Sequence, residues 1–185
     1  KRLMPKLEAV RFTSAGTEST LLAVRLARGH TGKTKLVKFR EHFHGWHDYL
    51  SMDSGINPQV GIPDETLSTI VVIEPTLDAL STLLERDTNI AAVIMEPVGV
   101  EEPTDGFLQM VRELAHSEGA ILIFDEIITG FRLDLGGAQE YYGVAPDLAC
   151  FGKAMANGLP ISAVVGRRGI MGIFDEIYFS FTAGG

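Results

Sequence analysis

Short apolar runs that alternate with stretches of helical periodicity constrain this chain more than any other feature of its sequence. The runs at 35–39, 69–73, 91–95, 121–124, 148–151 and 163–165 are mostly apolar at every position, as strands covered on both faces must be. Between them, 18–28, 77–86 and 107–118 carry helical spacing, with Gly119 placed to end the last in a left-handed cap. The expectation is an α/β fold in three layers, a mostly parallel sheet with helices on both faces. The stretch 45–67, with Gly55, Asn57, Pro58, Gly61 and Pro63, has no period and reads as a long loop.

A length of 185 residues, 45% hydrophobic, supports one domain with a real core and not two. No composition shift or linker divides it. The net charge of -8 argues against a basic surface for nucleic acid or an anionic membrane. No apolar run approaches the roughly 20 residues that span a bilayer. One cysteine, Cys150, leaves no internal disulfide framework, which fits a reducing compartment, and the expected location is the cytoplasm. The chain starts at Lys1 and stops at Ala183-Gly184-Gly185, so it reads as a piece of a longer protein.

In open parallel sheets ligands collect beyond the carboxyl ends of the strands. Glu96 follows the run ending at Met95, Asp125 the run ending at Phe124, and Lys153 stands just past Phe151. An ionised carboxylate held against an aromatic ring nitrogen keeps that nitrogen protonated. At about 4 Å and an effective dielectric near 20 the pair gains roughly 4 kcal/mol, or about three pKa units. A lysine buried beside it can be shifted from about 10.4 toward a neutral, nucleophilic amine. Alone, Asp125 reads as a helix cap and Lys153 as a surface charge; on adjacent apolar strands they read as a pair. Ser14, Gly16 and Thr17 open the first helix, where free N–H groups and the dipole attract a phosphate, although Ser and Thr there also serve as ordinary N-caps.

Other motifs lead elsewhere. Gly29, Gly32, Lys33 and Thr34 imitate a nucleotide-binding loop, but Ala27 stands where its first glycine belongs and a helix precedes it; the two glycines are expected to stop that helix. Of the spacings among His42, His44 and His47 only one suits a shared helical face, and no cysteine assists, so no metal is assigned. Cys150, in an apolar strand, is expected to be core. Glu101 and Glu102 read either as a solvated acidic loop or as part of the site.

Taken in order, several blocks resemble the class III aminotransferases, a family of fold type I enzymes dependent on pyridoxal 5'-phosphate, and most of all their glutamate-1-semialdehyde aminomutase-like branch. They are Ser-Ala-Gly-Thr-Glu at 14–18, Phe43-His44-Gly45, Glu96-Pro97, Phe-Asp-Glu-Ile-Ile-Thr-Gly-Phe-Arg at 124–132, Gly-Val-Ala-Pro-Asp at 143–147, and Phe-Gly-Lys-Ala-Met-Ala-Asn-Gly at 151–158. The resemblance implies that residues 1–185 are an incomplete large cofactor-binding domain, with an N-terminal segment and a small C-terminal domain outside it. It implies that Lys153 holds the cofactor as a Schiff base and shuttles a proton, while Asp125 pairs with the ring nitrogen. Phe43 would stack on one ring face and Ile127 on the other; His44 and Glu96 would lie beside the cofactor. Ser14, Gly16 and Thr17 would hold the phosphate, together with Thr182 reaching the site of a partner subunit in a homodimer. Two departures stand out: Ala15 where the family commonly has serine, and Glu101 near the position where aminomutases of this type carry asparagine. The implied reaction moves an amino group from a small-molecule donor to a carbonyl acceptor, with intramolecular transfer, as in an aminomutase, as the alternative. A non-catalytic α/β binding domain would be expected to have lost Lys153 or Asp125, and both are present.

Overall fold

The computed structural model describes Met4, residues 7–53 and residues 59–180. Its centre is a seven-stranded sheet. In chain order the strands are β1 (Ala9–Thr13), β2 (Lys35–Phe39), β3 (Ile70–Ile73), β4 (Ile90–Met95), β5 (Ile121–Asp125), β6 (Leu148–Phe151) and β7 (Ser162–Gly166). Across the sheet they run β1-β7-β6-β5-β4-β2-β3. Among the observed pairings, β7 is antiparallel to both its neighbours and all the others are parallel.

The mostly parallel three-layer sheet predicted from the apolar runs is the observed architecture, and β4, β5 and β6 are buried along their whole length. Alternate residues of each strand face opposite cores. One face, with Leu36, Ile94, Ile123 and Cys150, packs against Leu22, Ala23 and Leu26 of α1 (Gly16–Thr31). The other, with Val37, Val93, Leu122 and Phe124, packs against Leu80 and Leu84 of α3 (Leu77–Arg86) and Leu108 and Val111 of α4 (Phe107–Ser117). Thr76 caps α3 by accepting the N–H of Ala79, and Gly119 takes the expected left-handed conformation after α4 (φ 63°).

Differences from the sequence reading sit at edges and short turns. β1 was not anticipated; it is an edge strand with Val10 and Phe12 exposed, so it lacks the unbroken apolar run that marks a central strand. The long loop contains one turn of helix, α2 (Asp64–Leu67), and another, α6 (Arg168–Met171), follows β7, whereas α5 (Ala138–Tyr141) is the turn and short helix that the sequence from Gly136 through Gly143 leads one to expect. Gly32 ends α1 in a left-handed cap as expected, but Gly29 lies inside the helix. A Cβ at Gly29 would come within 2.6 Å of Ile173 Cγ2, so that position is set by close packing and not by termination.

Candidate active site

Past the last hydrogen-bonded register of the apolar strands, polar side chains gather at the carboxyl edge of the sheet. Phe124 of β5 stands opposite Met95 of β4, and Asp125 opposite Cys150 of β6. Glu96 and Lys153 therefore leave neighbouring strands on either side of Asp125. All three line one cavity of about 240 Å³, together with Gly16, Thr17, Phe43, His44 and Ile127.

Asp125 is buried and fixed at both oxygens: Oδ1 accepts the N–H of Ile127 at 3.1 Å, and Oδ2 lies 2.9 Å from Nδ1 of the buried His44. A carboxylate only accepts, which places the shared proton on Nδ1. Its negative charge, together with burial as the larger cause, pushes the Cys150 thiol well above its ordinary range. Cys150 is thus core, as expected, and not a nucleophile. His44 Nε2 is buried with no hydrogen-bond partner among the described residues. The backbone carbonyl of His44 accepts the Thr20 hydroxyl at 2.7 Å, tying the loop after β2 to α1.

No side chain caps α1. Its first N–H groups, beside Gly16 and Thr17, are therefore open toward the cavity. Of the two readings of this segment, the ordinary N-cap fails. Ser14 is not among the residues lining the cavity, and its backbone N–H is held by Glu18 Oε2 at 2.7 Å. Gly45 (φ 95°) lets the loop approach α1 closely; a Cβ there would stand 2.8 Å from Thr17 Oγ1 and 3.0 Å from Thr17 Cα.

Lys153 opens a 3-10 turn (Lys153–Met155) in a left-handed conformation (φ 35°) that non-glycine residues seldom adopt. It is exposed, not buried as expected, because β6 ends at Phe151 and no described residue closes over the amine. Phe43 is also half-open, at 54% exposure, with its N–H donated to Glu96 Oε1 at 2.6 Å. Burial raises the Glu96 carboxyl, while the Phe43 N–H, His44 and Lys153 pull it down. Ile127 packs on the core side of the cavity. Thr182 lies outside the described residues. Gly45, named in the sequence only as part of the Phe43-His44-Gly45 block, also lines the cavity, as do Thr20 and Ile128, to which the sequence assigned no role. Thr20 could have been found from the helical spacing that puts it one turn after Gly16.

Size alone does not pick out this site. A cavity of about 570 Å³ opens at the opposite edge of the sheet around Asp147, whose carboxylate is occupied by His116, Arg167 and the N–H of Leu122. No amine and free acid meet there. Among the described residues no group of three His, Cys, Asp or Glu could hold a metal, and no helix is long and apolar enough to cross a membrane.

The aminotransferase class-III family model matches residues 1–185. A glutamate-1-semialdehyde 2,1-aminomutase of Desulfotalea psychrophila is 48% identical over 181 residues, covering 91% of this chain and 42% of that protein. The one of Alkaliphilus oremlandii is 46% identical, covering 99% and 46%. Among solved structures, an omega-transaminase from Sphaerobacter thermophilus superposes with a TM-score of 0.91 at 32% identity, over 98% of this chain and 47% of that one. The chain spans less than half the length of these relatives. It is a member of the class-III aminotransferase family.

Proposed function

We propose that the protein transfers an amino group between small molecules with pyridoxal 5'-phosphate, and that residues 1–185 are the large cofactor-binding domain of a longer, cytoplasmic chain that pairs with a second copy. The observation that carries this reading is the convergence of an exposed amine, Lys153, and a buried carboxylate, Asp125, on one cavity that also holds an uncapped helix N-terminus.

The residues present fit that cofactor. The open N–H groups beside Gly16 and Thr17 suit its phosphate, Asp125 suits a protonated ring nitrogen, and Phe43 and Ile127 supply apolar faces for the ring. When bound, pyridoxal phosphate supplies a cationic aromatic ring that accepts electron density as a substrate carbon loses its proton. The chain does the rest. Asp125, immobilised by Ile127 N–H and His44, keeps the ring proton in place. Lys153 Nζ, exposed at the cavity, would hold the cofactor's aldehyde group and would take and return a proton at the substrate carbon.

Transfer between separate molecules is the leading reading. Intramolecular transfer is the second, favoured by the identity to proteins named as aminomutases. Glu101, where that branch has asparagine, weighs against the second. In the full-length protein, Lys153→Ala is expected to abolish borohydride-trapped cofactor; undiminished trapping removes Lys153 from its role. Turnover that requires a separate amino donor, followed by label exchange into an added acceptor, excludes a strict mutase.

A further inference from the structure

His42 is one residue from the Phe43-His44-Gly45 block and is not among the cavity-lining residues of the site. Its imidazole packs edge-on against Phe39, with ring centroids 5.7 Å apart, and at 6.0 Å from the ring of His44. Its Nδ1 accepts the backbone N–H of Glu96 at 3.1 Å. Glu96 in turn uses Oε1 to accept the backbone N–H of Phe43 at 2.6 Å. The two bonds run in opposite directions between the same two loops, one leaving β2 and the other leaving β4. These strands are adjacent in the sheet, yet their paired register ends at Lys38 and Ile94. Beyond that point these two hydrogen bonds join the loops.

We propose that His42 is a positioning residue: by accepting the Glu96 N–H it fixes the Glu96 carboxylate, and through it the Phe43 backbone, so that the aromatic ring is held over the cofactor cavity. The inference rests on the cofactor reading above and adds to it a residue outside the cavity. Phe43 is half-exposed, so packing covers only part of its ring, and its backbone N–H is gripped by the Glu96 carboxylate.

The role needs a neutral ring with its proton on Nε2, since a protonated imidazole has no acceptor. Its surroundings enforce this. Burial, then repulsion from His44 and Lys38, brings His42 down to about 4, against a smaller opposing pull from Asp125. Gly99 leaves room for the ring: a Cβ there would stand 3.2 Å from His42 Nε2.

The test uses two variants of the full-length holoenzyme. His42→Phe keeps the planar ring and its contact with Phe39 but removes the acceptor; His42→Asn replaces the acceptor with an amide oxygen. His42→Phe is expected to weaken pyridoxal phosphate binding at least ten-fold, to diminish the induced circular dichroism of the visible band, and to speed hydrogen exchange in the peptide holding Glu96. His42→Asn is expected to stay within about three-fold of wild type in all three. Equal cofactor affinity and equal visible dichroism in wild type and His42→Phe overturn the proposal, as does equal impairment in both variants, which marks a space-filling role. If His42→Phe does not fold, unprotected exchange of the Glu96 amide in wild type overturns it on its own. A wild-type protein with no cofactor band is a different result: it sinks the cofactor reading and not the cross-tie alone.

Discussion

Lys38 stands in the middle of β2 and is fully buried, a position at which an ammonium is costly. Its Nζ donates to the carbonyls of Met52 at 2.7 Å and Leu50 at 3.3 Å, fastening the start of the long loop to the sheet. Burial is the larger influence and lowers its pKa from 10.5 to about 8, against the pull of Asp53 and Glu96. A displacement of that size corresponds to about 3 kcal/mol of stability withheld while the group is charged in the fold. The sign follows from proton binding. The unfolded chain holds the Lys38 proton more tightly, so stability rises with pH between the folded value near 8 and the unfolded value near 10.5. Replacing Lys38 with methionine keeps the volume and removes the titration. Between pH 7 and 9.5 the unfolding free energy of wild type is therefore expected to gain about 2 kcal/mol relative to Lys38→Met. Urea unfolding of the full-length protein and the variant at the two pH values measures this double difference, from which titrating groups that do not sense Lys38 cancel. The absolute offset between them is not the quantity tested. A difference that does not change with pH, or that changes in the opposite sense, refutes the claim that the charge is held at a cost.

Two further substitutions probe the loop packed on α1 and the buried turn after β5. Gly45→Ala forces a Cβ to within 2.8 Å of Thr17 Oγ1 at a φ of 95°; it is expected to lower stability by about 1–2 kcal/mol and to weaken phosphate inhibition of cofactor rebinding, read by thermal unfolding and by visible absorbance. Glu126, fully buried, accepts the N–H groups of Ala138 and Gln139 and the Thr129 hydroxyl, so Glu126→Ala orphans three donors and is expected to cost about 3 kcal/mol or more in denaturant unfolding. A loss within about 0.5 kcal/mol would show that these donors find other partners.

The parts of the fold with a strong apolar pattern were legible in the sequence. β2, β6 and α3 fall on their expected bounds because burial on both faces, or a strict helical stripe, leaves few other conformations for those residues. The exposed edge strand β1 carries no such signal, and one-turn helices are too short to show a period. For the site, the residue types and their strands were readable, since an acid and an amine after adjacent apolar runs must share the sheet edge. Their partners were not. The bond between His44 and Asp125 joins residues 81 apart in sequence, and nothing local to either announces it. Lys38 reads as a break in an apolar strand and is buried only because a loop more than ten residues later supplies carbonyls for it. The exposure of Lys153 was missed for a related reason: the sequence shows where a strand ends but not what covers the residue after it.

The asymmetry between Asp125 and Lys153 follows from the work each is proposed to do. A counter-charge is effective only if it does not relax when the charge it opposes changes, because reorganisation would return part of the stabilisation. Asp125 belongs to β5, is buried, and has both oxygens occupied by donors on separate segments. An amine that binds the cofactor carbon, leaves it and carries a proton must instead change its position during each turnover. Lys153 stands outside β6, at the first residue of a 3-10 turn, and its side chain is exposed. Were the two environments exchanged, with the amine clamped and the acid free, the same pair of residues could neither hold the ring proton nor release the carbon. It is thus the placement of the acid within the strand and the amine beyond it, more than their identities, that would allow one sheet edge to perform both proposed steps.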